Sequence, residues 1–127
     1  MEILTLEIVH HLLKECNQDL KSTQEKLCFP VVQRIHRKML AGIKFKGIKV
    51  DGELIIDGHH RYIASLLAGA KMEIVPWKST SATSPVSWHT VSLVLEDWDT
   101  EAKIHILNEE DAVYNGLDIA SFTALLK

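Results

Sequence analysis

The stretch GELIIDGHHRYIASLLAG, residues 52–69, sets an apolar run against an amphipathic one with two residues between them. Leu54, Ile55 and Ile56 precede Asp57 and Gly58, and Tyr62, Ile63, Leu66 and Leu67 then recur at helical spacing up to Gly69. The first pattern is that of a strand. The second is that of a helix with one buried stripe, closed by the residue most often found just past a helix end. Upstream, Ile48 and Val50 alternate around Lys49, and Asp51-Gly52 is a favoured two-residue hairpin turn. The region therefore reads as hairpin, tight turn, helix, with His59, His60 and Arg61 crowded into the turn.

The remaining segments must pack around that unit. Ile8, Val9, Leu12, Leu13, Cys16 and Leu20 predict a helix over 6–20. A second helix follows Pro30, a good first-turn residue, carries Val31, Val32, Ile35, Met39 and Leu40 inward, and ends at Gly42. Its outward side is basic, with Arg34, His36, Arg37 and Lys38, and reads as a solvated face. KMEIVPW predicts a strand ended by Pro76, and the Ser/Thr-rich residues 78–87 a mobile connection. WHTVSLVLEDW fits a strand or a short helix. The last segment supplies one or two closing helices, with Asp118 or Ser121 near a helix start.

The chain has 127 residues, 46% hydrophobic and 24% charged, which suits one domain spanning 1–127 with one packed core. A net charge of −3 argues against a nucleic-acid coat or an anionic membrane surface as the general partner, so any polyanion must be met locally. Cys16 and Cys28 form neither a zinc ribbon nor a disulfide framework, which fits reduced thiols in a cytoplasmic protein. The N-terminus carries Glu2, Glu7, His10 and His11 where a signal peptide needs an apolar core. No apolar run approaches the roughly 20 residues of a membrane helix, so no membrane partner is expected.

A strand that turns directly into a helix leaves backbone N–H groups pointing outward at the positive end of the helix dipole, a ready anion site. Gly58 allows close backbone approach and a sharp turn. Asp57 can cap the helix or hold a metal ion. His59 and His60 can donate to phosphate oxygens, and Arg61 offers a fork of donors suited to phosphate. The plain alternatives are an Asp57 that only caps, surface histidines, and an Arg61 paired with Glu53 or Asp57.

The motif IIDGHHRYIAS within LIIDGHHRYIASLLAG resembles the signature of the ParB/sulfiredoxin superfamily, where a strand ends in a short Gly-containing turn followed by a His-Arg or Arg-Arg pair on a helix. The GIKVDGE hairpin and the EIVPW strand resemble the family's order of elements, and the likeness covers about residues 30–77. It implies an α+β domain, a small mixed β-sheet flanked by helices. In ParB-like and kinase-like members the corresponding turn holds the phosphates of a nucleoside triphosphate. Carried over, this puts Gly58, His59, His60 and Arg61 on the phosphates of ATP or another NTP, with Asp57 near Mg²⁺ or the transferring group. Sulfiredoxins have a catalytic cysteine directly before the His-Arg pair, where this chain has His59. Cys16 and Cys28 lie far from the motif in sequence, so sulfinic-acid repair, which requires a thiol, is not expected. Partition proteins continue into a helix-turn-helix domain and a dimerisation segment, for which this chain has no room.

The leading expectation is thus a nucleotide-binding domain performing Mg-dependent NTP hydrolysis or phosphoryl transfer to a small acceptor, a hydrolase or a kinase. Asp57, His60 and Arg61 are its candidate catalytic residues, and Arg34, Arg37 and Lys46 are accessory basic ones. One alternative is a DNA- or RNA-binding protein or ParB-like nuclease, with the basic residues of 34–49 tracking the backbone. Another is a non-catalytic ligand-binding module. Fold-level likeness does not choose the reaction. The histidines at 10, 11, 36, 59 and 60 lack the i, i+4 spacing of a helical metal site. The acidic residues of LEDWDTE and NEED read as solvated turns and helix starts. Trp77, Trp88 and Trp98 read as packing residues, with base stacking the sharper alternative.

Overall fold

The computed structural model describes residues 3–80 and 83–127. Within them the chain is a mixed α+β protein with five α-helices: α1 (Leu6–Glu15), α2 (Phe29–Leu40), α3 (His59–Ala68), α4 (Glu101–Tyr114) and α5 (Ile119–Leu125). The strands are β1 (Lys26–Cys28), β2 (Ile48–Asp51), β3 (Leu54–Asp57), β4 (Ile74–Pro76) and β5 (Ser92–Val94). Strand β2 is the middle of a three-stranded sheet, antiparallel to β3 and parallel to β4, while β1 and β5 form a separate parallel pair.

The expected hairpin is present, and its register matters for the site. Val50 pairs with Ile55, but the next pair joins Lys49 to Asp57. Ile56 is left as the extra residue of a bulge, which bends β3 and re-aims the residues that follow it. The outer edge of β3 is covered by Lys21, whose N–H donates to Glu53 O at 2.7 Å and whose carbonyl accepts from Ile55 N–H at 3.0 Å. Helix α3 packs across this sheet against α2.

The main core joins Val9 and Leu13 of α1, Leu27, Val32 of α2, Ile48, Val50 and Ile55 of the sheet, Tyr62 and Ile63 of α3, and Trp88. Trp88 ties these together: its Nε1–H donates to Leu20 O at 2.9 Å, and its ring stacks on Tyr62 at 5.9 Å. A smaller cluster of Ile43, Ala112 and Phe122 joins the C-terminal helices to the body.

Several sequence expectations shift. The first helix stops at Glu15, because Cys16 turns to extended backbone, and Lys21 then bridges to Leu54 of β3. WHTVSLV contains both alternatives, a 3-10 turn at Trp88–Thr90 and then β5. Asp118 caps α5, accepting from Ser121 N–H at 2.7 Å. The connection 78–87 includes residues 81 and 82, which lie outside the described residues. Its flanks are anchored by Ser79 N–H and Oγ–H donating to Asp51 and by Val86 N–H donating to Ser22 O.

Candidate functional site

Gly58 ends the strand and caps α3 with φ +102° and ψ +24°, and no side chain caps the helix. The first backbone bond of α3 runs from Tyr62 N–H to Gly58 O at 2.9 Å. The N–H groups of His59, His60 and Arg61 therefore precede the helical ladder at its positive end. Asp57, 61% exposed, stands at the rim with its Oδ2 at 3.8 Å from Arg61 Nη2. That same Nη2 donates to Gly47 O at 3.3 Å, while Arg61 Nε is buried without a hydrogen-bond partner.

The two histidines are used differently from the sequence expectation of plain phosphate donors. His59 is buried, and its Nε2 accepts the Thr23 N–H at 2.9 Å; the Thr23 hydroxyl donates to Ile55 O at 2.6 Å. His60 Nε2 accepts the Cys28 N–H at 2.9 Å, with its ring edge-on to Trp98 at 5.3 Å. An Nε2 that accepts fixes the neutral tautomer with the proton on Nδ1. Burial, and for His59 the neighbouring His60, pulls its pKa down to about 4. Burial also pulls His60 down to about 4, against the partly opposing pull of Asp99. Both rings first fasten the segments around Thr23 and Cys28 to the head of α3. Only their Nδ1–H groups remain as donors for a ligand.

The turn faces a cavity of about 250 Å³ lined by residues 57–61, by Gln24, Val31, Arg34, Ile35 and Lys38, and from the far side by Phe45, Asp99, Leu107 and Asp111. A second cavity of about 590 Å³ shares Phe45, Arg61, Leu107 and Asp111 with it and adds Lys46, Glu109, Glu110, Val113 and Tyr114. Arg34, Lys38 and Arg61 thus converge on the first cavity, and each meets a carboxylate. Arg34 pairs with Asp97 and, at 2.8 Å, with Asp99; Lys38 Nζ lies 2.7 Å from Asp111 Oδ2. The hydrogen bond with Arg34 holds Asp97 below the usual carboxylate range. Burial works against the Arg34 charge, but its carboxylate partners outweigh it and raise the guanidinium further.

This corrects the reading of the basic α2 face as solvated. Arg34 and Lys38 are covered by the C-terminal segment, and Arg37, exposed, donates to Leu126 O. The acidic residues Asp97, Asp99 and Asp111, expected on solvated turns, supply that cover. Of the accessory basic residues, Arg34 reaches the first cavity, Lys46 the second, and Arg37 neither. Cys28, distant from the motif in sequence, lies beside His60, but its Sγ is buried, donating to Glu96 O at 3.3 Å and accepting from Trp98 N–H. Trp77 lies under Lys49 Nζ at 4.1 Å from its ring centre, away from the cavity walls. Lys38 and Asp111 were invisible as site residues because they stand 73 positions apart; only the unused acidic groups hinted at a partner.

Among the described residues no group of three or more His, Cys, Asp or Glu side chains is placed to hold a metal ion by itself. Nor is any described helix long and apolar enough to cross a membrane. No protein-family model, no curated protein and no solved structure matches this chain.

Proposed function

We propose that the turn at 57–61 binds the phosphates of a nucleoside triphosphate, in a domain of the ParB/sulfiredoxin-like type. The observation that carries this is the uncapped head of α3, opened by Gly58 onto a cavity whose wall holds Arg34, Lys38 and Arg61. Three N–H groups and the buried, unpartnered Nε of Arg61 suit the oxygens of a phosphate, which accepts several hydrogen bonds at once. The first cavity accommodates phosphate groups rather than a whole nucleotide. The adjoining space, where Phe45, Val113 and Tyr114 stand among Lys46, Glu109 and Glu110, offers the nucleoside a stacking surface rimmed by charge.

Asp57 fits a magnesium ion that arrives with the triphosphate. Such an ion takes one or two carboxylates and otherwise phosphate oxygens and water, and Asp57 is a single exposed carboxylate at the rim. In hydrolysis or transfer to a small acceptor, Arg61 and the Nδ1–H of His60 stabilise charge on the transferring group. His60 does not serve as a base, because its Nε2 already accepts the Cys28 N–H. Binding to a nucleic-acid strand is less favoured, since Arg34 and Lys38 lie half-buried and buried under the C-terminal segment instead of forming an exposed basic stripe.

Thermal unfolding in 1 mM ATP, ADP, CTP or GTP, with and without Mg²⁺, tests this. A nucleotide bound with a Kd tenfold below its concentration adds ~1.4 kcal/mol to stability by mass action. A triphosphate with Mg²⁺ is expected to raise the melting temperature by several degrees, and Arg61→Ala to abolish most of that rise. The absence of any shift with all four nucleotides contradicts the proposal.

A further inference from the structure

We infer that the C-terminal segment is a built-in competitor for the phosphate site: Asp99 and Asp111 hold Arg34 and Lys38 where ligand phosphate would take them, and binding loosens α4 from α2. The inference rests on the proposed phosphate reading and adds its regulation. It starts from Lys38, whose side chain is 7% exposed yet carries a charge. A buried ammonium needs a partner, and Asp111 is that partner at 2.7 Å, with the Phe122 ring 5.7 Å away. Arg34 is held in the same way by Asp97 and Asp99. Arg34, Lys38, Asp99 and Asp111 line the same cavity as the head of α3, so a phosphate there meets two cations already neutralised.

Helix α4 is fastened to the body by the Lys38–Asp111 ion pair, by Asn115 at its end bonding the Lys44 backbone, and by one buried apolar residue. Ala112 is its buried apolar residue, while Ile106, Val113 and Tyr114 remain exposed. Among the described residues, the two buried side-chain polar atoms without partners are Arg61 Nε and Asn108 Oδ1, one in the cavity wall and one on α4. A buried polar atom left without a partner costs stability where it lies. A phosphate can exchange with Asp111 without leaving Lys38 bare, because it brings both charge and acceptor oxygens. The closed state then lowers the apparent affinity to its intrinsic value multiplied by the fraction of molecules that are open.

Pyrophosphate, titrated by calorimetry with Mg²⁺ present, is the probe. Asp111→Asn, which removes the charge and keeps the shape, is expected to bind it about tenfold more tightly than the unmodified chain. Glu101→Gln, the same charge change at an exposed position on α4, is expected to leave binding unchanged. Because Asp111→Asn removes the counter-charge of Lys38, hydrogen exchange on the unmodified chain gives a second reading. Saturating pyrophosphate is expected to speed exchange of α4 amides about tenfold while slowing those at the head of α3. Equal affinities together with unchanged or slowed α4 exchange overturn the competitor and leave phosphate binding standing. No binding to any of the three chains overturns both.

Discussion

Acidification from pH 7 to pH 4.5 is expected to remove roughly 5 kcal/mol of stability, a large share of what a domain of this size has to lose. The cause is the pair of neutral histidines at the head of α3, both with pKa values near 4 in the fold against 6.5 for the unfolded chain. Above pH 6.5 both states are neutral there and the fold keeps the full benefit of its two Nε2 acceptors. As pH falls from 6.5 toward 4 the unfolded chain takes up protons that the fold refuses, and stability drops by up to about 3 kcal/mol for each histidine. The carboxylates Asp51, Asp97 and Asp118 have lowered pKa values, from 3.8, so their contribution is lost only below that window. Urea unfolding measured at half-unit pH steps separates the two ranges. His60→Gln, which offers an amide oxygen to the Cys28 N–H and cannot titrate, is expected to remove about half of the loss. An unchanged slope in that variant would show that His60 is not one of the responsible groups.

Gly58→Ala is expected to destabilise the fold by about 3–5 kcal/mol, the sum of two separate penalties. The backbone at φ +102° lies where a residue with a Cβ is strained, and that Cβ would stand 2.6 Å from Ile48 Cγ2 and 2.9 Å from Arg61 Nη2. Ile48 cannot give way easily, because it is fully buried in the middle strand of the sheet. Gly52, also at positive φ, has nothing within 4 Å of its would-be Cβ. Gly52→Ala is therefore expected to cost about 1–2 kcal/mol, backbone strain alone. Chemical denaturation of both variants checks the ordering, and equal losses would mean that contact with Ile48 contributes nothing.

What could be read in the sequence was local. The alternation at Ile48 and Val50, the Asp51-Gly52 turn and the helical spacing from Tyr62 to Leu67 each depend on neighbours within a few residues. The hairpin and α3 accordingly fall where those patterns place them. Strand β1 leaves no mark in the sequence, because a three-residue strand before Pro30 carries too few residues to show a period, and its partner β5 lies 66 positions on. The chemistry of the turn was legible as a set of residue types but not as protonation states. Whether His60 donates or accepts is decided by Cys28, 32 positions away. The pairing of Arg34 and Lys38 with Asp97, Asp99 and Asp111 is likewise a product of tertiary packing. No spacing rule distinguishes a basic helix face that meets solvent from one that meets an acidic segment.

The cover over α2 also changes how the site is understood. A turn that gathers N–H groups and Arg61 would be an open anion site if α4 were absent; with α4 in place its two neighbouring cations are already satisfied. On the proposed reading, affinity for phosphate is set as much by Asp99 and Asp111 as by the residues of the motif itself.

The most direct measurement is a ¹H–¹⁵N titration of the unmodified chain with magnesium pyrophosphate, following every backbone amide. Phosphate binding at the head of α3 predicts saturable shifts that are largest at Gly58, His59, His60 and Arg61. Amides that stay in place there at millimolar pyrophosphate, or shifts confined to other parts of the chain, would contradict it.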